Sequence, residues 1–489
     1  MTTDTDARYK TTVGLEIHVE LQTSSKMFCG CEVAFGGEPN SRTCPVCLGL
    51  PGSLPVVNQR ALEHTIAIAL ALNCEIVRHS LFARKNYFYP DMPKNYQISQ
   101  YDLPFGRGGH AEISGDFGSK RVGITRVHLE EDTGKSQHVG GSGRIADSMH
   151  SLEDFNRAGT PLVEIVTEPD LASAEEARAF VNELRALLET LGVSDVRMEE
   201  GSLRVDANIS VSRPGESEQG TKIEVKNMNS VRSVGRALAY EEQRQRDALE
   251  RGEGLVQETR HFDERTGTTS TLRSKEYAFD YRYFPEPDLV AFEPENGLIE
   301  RLRASLPELP GHRRARFTEE LGLGAKEAAA LTVSRATAEW FEAAATAYPG
   351  SAKKVANWIL ADLYGLLNSA GIELARVRFA PAQLAGLIKL IDAGKISGKQ
   401  AKKVLAEMFA SGGEPAEIAA RLGLEQISDS TALESVVDEV IAAHPEAADR
   451  ARAGQQNTVG WLVGQVMKET RGQANPKLVS DLLRTKLSS

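Results

Sequence analysis

Val13-Gly-Leu-Glu-Ile-His-Val-Glu-Leu21 alternates strictly between two kinds of side chain. Val13, Leu15, Ile17, Val19 and Leu21 share one face, and Gly14, Glu16, His18 and Glu20 share the other. A period of two marks a β-strand with one buried face, because successive side chains point to opposite sides of a sheet. The polar face carries an imidazole between two carboxylates, a set with chemistry beyond simple solvation.

The same alternation recurs along the chain. Leu203, Val205, Ala207, Ile209 and Val211 alternate with Arg204, Asp206, Asn208 and Ser210. Ile223 and Val225 alternate with Lys222, Glu224 and Lys226, and the run from Gly123 to Lys135 carries Arg126, His128, Glu130, Glu131, Asp132 and Lys135. Any one of these strands reads as a sheet with a solvated face. Four that choose His, Asp, Asn and Arg read as the walls of a shared polar cleft. Glu164, inside Pro161-Leu-Val-Glu-Ile-Val166, adds to this, since a carboxylate in an apolar run is costly to bury unless paired or metal-bound. Glu16 and His18, two apart on one strand, can reach a single cation. Carboxylates with one imidazole suit Mg²⁺ or Mn²⁺ better than zinc.

The chain of 489 residues is too long for one core, so two or three domains are expected. Up to about residue 295 it is rich in Gly, β-branched residues and short alternating runs, which predicts an α+β domain of mixed sheets with helices. Beyond 297, helical periodicity is continuous, as in SRATAEWFEAAATAY and QLAGLIKLIDAG. The Pro-rich FPEPDLVAFEPENG between them reads as a linker. The helical half divides again near SGGEP at 411–415, giving expected units of 1–295, 296–411 and 412–489. The last carries a local basic excess from Arg450 onward against a net charge of −11, open to two readings, a solvated face or a nucleic-acid contact. No apolar stretch is long enough for a membrane span, and MTTDTDARYK lacks the apolar run of a signal peptide, so a cytoplasmic protein is expected.

Four of the five cysteines fall in two close pairs, Cys29-Gly-Cys31 and Cys44-Pro-Val-Cys47. Two thiolate pairs on tight turns match a tetrahedral Zn²⁺, and four thiolates close its shell, so the expected site is structural. Cys74 sits in an apolar pattern and is expected in the core. Gly134-Lys135-Ser136 resembles the end of a P-loop, but Leu129 stands where the first glycine is required. Neither a kinase Gly-rich loop nor a glutaminase nucleophile is present, so the chain lacks the means to liberate ammonia.

The runs GLEIHVEL (14–21), KNYFYPDMPKNYQISQYD (85–102), GITRVHLEEDTGKS (123–136), DFNRAGTPLVEIVTEPD (154–170), MEEGSLRVDANIS (198–210), GTKIEVKNMNS (220–230) and DYRYFPEPDLV (280–290) resemble the GatB family of the aspartyl/glutamyl-tRNA(Asn/Gln) amidotransferase. ISGKQAKKVLAE (396–407) and VGQVMKETRGQANPKLV (463–479) resemble its tail.

The resemblance implies a cradle domain over 1–295 with a zinc loop at 29–47, then a helical domain and a YqeY-like tail that grips tRNA. It implies an enzyme that uses ATP to phosphorylate the side-chain carboxyl of Glu-tRNA(Gln) or Asp-tRNA(Asn) for amidation. The implied partners are an amidase subunit that supplies ammonia and a small third subunit, in a heterotrimer. Glu16, His18, Glu131 and Glu164, with Glu130 adjacent, match the family's Mg²⁺-binding catalytic positions, and Cys29, Cys31, Cys44 and Cys47 its zinc site. Lys85, Lys94, Arg204, Asp206, Asn208, Lys222 and Lys226 are candidates for ATP or the tRNA 3′ end by charge and position. Lys468, Arg471, Lys477, Arg484 and Lys486 are candidates for the tRNA body. A carboxylate is already a nucleophile at pH 7, so the lack of a catalytic triad fits this chemistry. The alternative is a docking scaffold for tRNA with a structural metal cluster.

Overall fold

The computed structural model describes residues 9–140, 148–213, 220–274, 281–424, 430–453, 455–470 and 474–487. The chain forms two compact units, Met1–Gly311 and His312–Ser489. In the first unit the strands run β1 (Lys10–Glu20), β2 (Glu75–Ile76), β3 (Ala83–Asn86), β4 (Tyr96–Ser99), β5 (Gly106–Gly115), β6 (Gly118–Glu131) and β7 (Lys135–Val139). They continue with β8 (His150–Asp154), β9 (Pro161–Thr167), β10 (Leu203–Ser212), β11 (Ile223–Met228), β12 (Glu258–Asp263), β13 (Thr268–Ser274) and β14 (Phe284–Pro285). Among the described residues, one large sheet has the order β13-β12-β11-β10-β1-β9-β6-β5-β2, with β14-β3-β4 and β7-β8 as smaller sheets. Among the described strand pairs of the large sheet, only β11–β12 is parallel.

The alternation of β1 places it at the centre. Its apolar face, Val13 through Leu21, is at most 2% exposed. Those side chains share a core with Ile66 and Ile68 of α1 (Gln59–Ala71), Phe180 and Leu184 of α2 (Ala174–Leu191), and Val234 and Leu238 of α3 (Val231–Glu250). Burial of each large aliphatic there stabilises by about 2 kcal/mol. The helices begin at polar caps: Asn58, Ser173 and Ser230 each accept a bond from a first-turn N–H, which satisfies a donor otherwise without a partner. With helices on the apolar face, the polar faces of β1, β9, β10 and β6 line the other side.

The Pro-rich stretch expected as a linker is woven into the first unit. Phe284–Pro285 pairs with β3, and buried Glu286 accepts from Arg84 Nε and Nη2 at 2.7 and 2.8 Å. The following helix, Asn296–Ala304, contributes Ile299 to the same core.

The second unit is helical, as the periodicity predicts. Helices Arg335–Ala347, Pro381–Asp392 and Gly398–Ser411 share a core that includes Phe341, Leu384, Ile388, Val404 and Met408. Ser397 and Gln400 form a reciprocal capping box at the start of the last of these. Beyond Gly412, helices Ser430–Ala443, Gln456–Glu469 and Pro476–Leu487 close a second core around Leu433, Val437, Leu462, Val466 and Leu483. Among the described residues no helix is long and apolar enough to cross a membrane.

Candidate active site

The register of the large sheet aligns its chemistry in rows. His18 stands opposite Arg204 on β10 and opposite Glu164 on β9, and Glu164 stands opposite His128 on β6. In the next row Glu16 faces Asp206. Neighbouring strands lie about 4.8 Å apart, so side chains of one row meet without any loop to position them.

His18, Glu130 and Glu164 bring one ligand atom each to within 4.8 Å of one another. His18 Nε2 lies 3.5 Å from Glu164 Oε2 and 3.9 Å from Glu130 Oε1. His128 Nε2 lies 3.2 Å from Glu164 Oε2 and 3.6 Å from Glu130 Oε2. Ser99 donates to Glu130 at 2.8 Å, and Arg126 Nη2 donates to Glu164 at 3.4 Å. Burial opposes charge on both carboxylates, yet the neighbouring histidines hold Glu164 well below its ordinary range. A hydrogen bond from His128, with the charge of Lys85, likewise lowers Glu130. Burial pulls His128 down, but Glu164 and Glu130 outweigh it and raise it to about 9. The neighbouring positive groups hold both carboxylates ionised, and two carboxylates with the His18 imidazole, which would give up its proton on ligating, make a donor set for a hard divalent cation.

Beside it lies a second charged group. Asp132 accepts from Arg204 Nη2 at 2.6 Å and lies 3.6 Å from Arg157 Nε. Burial opposes its charge, and the two guanidiniums more than compensate, so it stays below the usual carboxylate range. Burial first, then proximity to Asp132, pushes Glu20 up to about 8. A cavity of about 890 Å³ opens at this end of the sheet, bounded by Glu20, Arg157, Arg42 and Lys135.

The other residues singled out by sequence are distributed as follows. Glu16 accepts from Asn208 at 2.9 Å, and Lys226 donates to Asp206 at 2.6 Å. Lys85 is half-buried, in the field of Glu130 and Glu164. Lys222 is exposed just before β11. Glu131 is not brought to the His18 cluster. One residue beyond Glu130, its side chain takes the opposite face, where it binds Lys94 and accepts from the Ile98 N–H at 3.0 Å. A cavity of about 130 Å³ lies between this ion pair and Cys29 and Cys47. In the second unit Lys468, Lys477 and Arg484 are exposed, while Lys486 donates to Asp438 at 2.7–2.8 Å. Arg471 lies outside the described residues.

Cys29, Cys31, Cys44 and Cys47 bring their sulfurs to within 4.8 Å of one another, and Cys44 N–H donates to Cys47 Sγ at 3.1 Å. Four thiols on two turns form a group able to hold a tetrahedral metal. Lys26, 1% exposed, sets its ammonium 3.8 Å from Cys47 Sγ and donates to the carbonyls of Arg42 and Phe155 at 2.8 and 3.2 Å.

Sequence reasoning did not single out His128, Arg126 or Lys26 as site residues. A signal for the first two was present: Arg126, His128 and Glu130 share one parity on β6, and Glu131 has the other.

The model of the GatB/GatE catalytic domain matches residues 11–300, and that of the GatB domain matches residues 339–487. The GatB subunit of the aspartyl/glutamyl-tRNA(Asn/Gln) amidotransferase from Carboxydothermus hydrogenoformans is 52% identical over 98% of this chain and 99% of its own length. The protein of that name from Moorella thermoacetica is 53% identical over 98% of this chain and all of its own. That from Salinispora arenicola is 53% identical over 99% and 97%. Kinship of this depth along both units assigns the chain to the GatB family of aspartyl/glutamyl-tRNA(Asn/Gln) amidotransferase subunits.

Proposed function

We propose that this protein activates the side-chain carboxyl of glutamate or aspartate mischarged onto tRNA(Gln) or tRNA(Asn), using ATP, and passes it to ammonia from a partner amidase subunit. The observation that carries this reading is the convergence of His18, Glu130 and Glu164, beside Lys85, in a chain related to such subunits over nearly its full length.

The chemistry explains the residue types. Oxide cannot leave a carboxylate, so the carboxyl must be activated before ammonia can replace it. The substrate carboxylate attacks the γ-phosphorus of ATP, the bond to the bridging oxygen breaks, and ADP leaves with that electron pair. Ammonia then adds to the acyl carbon of the acyl phosphate, phosphate departs, and the nitrogen loses a proton to give the amide. Both partners of the first step are anionic, so catalysis consists of positioning and charge neutralisation. A Mg²⁺ ion held by His18, Glu130 and Glu164 would supply part of that neutralisation. His128 and Arg126 hold the two carboxylates in place. Lys85 and Lys226 are the cations on this face for phosphate or the 3′ end, with Arg204 beside Asp132. Zn²⁺ on the four cysteines would fix the 29–47 loop and take no part in the reaction, because its shell is closed. The segment 412–489, as a YqeY-like tail, would grip the tRNA body, and the reaction belongs to the cytoplasm.

The test assembles the chain with an amidase subunit and the small third subunit. Transfer of γ-labelled phosphate is followed with mischarged Glu-tRNA(Gln), correctly charged Gln-tRNA(Gln), or no tRNA. Release confined to the mischarged tRNA is expected. Release indifferent to the amino acid would favour a docking scaffold instead.

A further inference from the structure

Four tyrosines gather beside Lys85 at the edge of the carboxylate cluster. Tyr101 and Tyr283 are stacked, with ring centroids 4.5 Å apart and planes 13° from parallel. Tyr281 meets Tyr283 edge-on at 6.2 Å and Tyr87 at 6.2 Å. The Lys85 ammonium sits 5.0 Å above the Tyr281 ring. Ser99, two residues before Tyr101, donates to Glu130 at 2.8 Å, so the aromatic group borders the site.

Two features set this group apart from ordinary packing. Tyr101 remains 51% exposed although Tyr283 covers one side of its ring, so an aromatic surface is left toward solvent. Arg282, between two of the tyrosines, adopts φ 50°, a conformation that costs an L-residue about 1 kcal/mol. Its carbonyl accepts from Asn86 Nδ2 at 2.9 Å. The pair 281/283 is thus fixed to β3, the strand that carries Lys85.

A rigid, half-exposed stack next to a cation suits a flat aromatic group joined to an anionic or polar chain. On the reaction proposed above, on which this step rests, both substrates offer one: ATP and the unpaired 3′ end of tRNA each carry an adenosine. In either, the base is joined through ribose to the atoms that react, and here the stack is linked through Tyr281 to Lys85 and, through Ser99 on the same segment as Tyr101, to Glu130. We infer that Tyr101, stacked on Tyr283, is the platform for that adenine base. Stacking of a base on an aromatic side chain contributes about 1–3 kcal/mol without reading its edge.

The test uses the assembled complex and two fluorescent probes, 2-aminopurine riboside triphosphate and a mischarged tRNA whose terminal adenine is replaced by 2-aminopurine. Stacking quenches 2-aminopurine, so binding of one probe to the wild type is expected to dim it. Tyr101→Ala is expected to abolish the quench and weaken that ligand about tenfold, within the range stacking allows, while Tyr101→Phe restores both. The probe that responds identifies the source of the base. A wild type that quenches neither probe, or a folded Tyr101→Ala that quenches as the wild type does, overturns the inference. These readouts need no turnover. Loss of amino-acid-dependent phosphate release with quenching intact would instead sink the proposed function and leave the adenine platform standing.

Discussion

His18 Nε2 stands 3.5 Å from Glu164 Oε2, and the two residues are directly opposed in the register of β1 and β9. Their meeting is therefore a property of the sheet. A slip of β1 by one residue would turn His18 toward the helices and the core while Glu164 stayed in place, so the buried face that stabilises β1 also fixes the cluster.

Substitution of either carboxylate should separate activation from ammonia production. Glu130→Gln and Glu164→Gln keep side-chain shape and remove charge from the cluster. We expect each to lower γ-phosphate transfer to mischarged tRNA by at least about a hundredfold, with the glutaminase activity of the assembled complex unchanged. Normal amidation by both variants would remove the cluster from the chemistry.

Glu131 should behave differently, because its partner is Lys94 in a buried pair whose side chains are 3% and 8% exposed. Glu131→Ala leaves the Lys94 ammonium without a counter-charge, which costs about 3 kcal/mol. Urea unfolding should shift accordingly, and Glu131→Met with Lys94→Met should recover part of the loss. An unshifted midpoint for Glu131→Ala would mean that the pair contributes nothing to the fold.

The contrast between these neighbours indicates what was legible in the sequence. Alternation in β1 and β10 gave the strands and their polar faces, since period two leaves no other assignment of sides. Cysteine spacing gave the loop group in the same way. Parity on β6 was equally readable, yet proximity of Glu130 and Glu131 in a motif concealed that they face opposite ways. Other features depend on distant contacts. The Pro-rich 284–297 stretch looks like a linker locally, and only its pairing with β3 and the Glu286–Arg84 bond place it in the first unit. Lys26 stands three residues before Cys29, so its nearness to the cysteine group was readable, but not that its ammonium points at Cys47.

Lys26 should tune the affinity of the four cysteines for a metal ion. A divalent ion on four thiolates leaves the group net negative, and the Lys26 ammonium 3.8 Å from Cys47 Sγ offsets part of that charge. Lys26→Met should weaken metal affinity about tenfold, as loss of an outer-sphere partner does, while the Co²⁺-substituted protein keeps its four-thiolate absorption. Chelator competition with unchanged affinity would restrict Lys26 to its two carbonyl bonds.

Acid should destabilise the first unit through His64 on α1. Burial, with the charge of Arg60 second, lowers this histidine from 6.5 to about 4. The folded state therefore holds it neutral where the unfolded chain binds a proton. Its contribution is complete above pH 6.5 and is lost as pH falls toward 4. Between pH 7 and 4.5 the loss is on the order of 2 kcal/mol. His64→Gln should flatten that part of the stability curve in denaturant titrations, and parallel curves for the two proteins would count against it.

The basic C-terminal helices offer the last contrast, between a solvated face and an RNA contact. Lys477 lies in the first turn of Pro476–Leu487, where the helix dipole disfavours a cation, so helix stability does not account for it. Lys468, Lys477 and Arg484 are exposed, and Lys486 donates to Asp438. Each phosphate contact releases counterions, so replacing Lys468, Lys477 and Arg484 together by Ala should reduce the slope of log affinity against log salt by roughly 2 to 3. Lys486→Ala alone should do less, since its charge is already partly met. tRNA binding measured across salt concentrations separates the readings: a slope unchanged in the triple variant would make these residues a solvated face and send the search for the tRNA contact elsewhere.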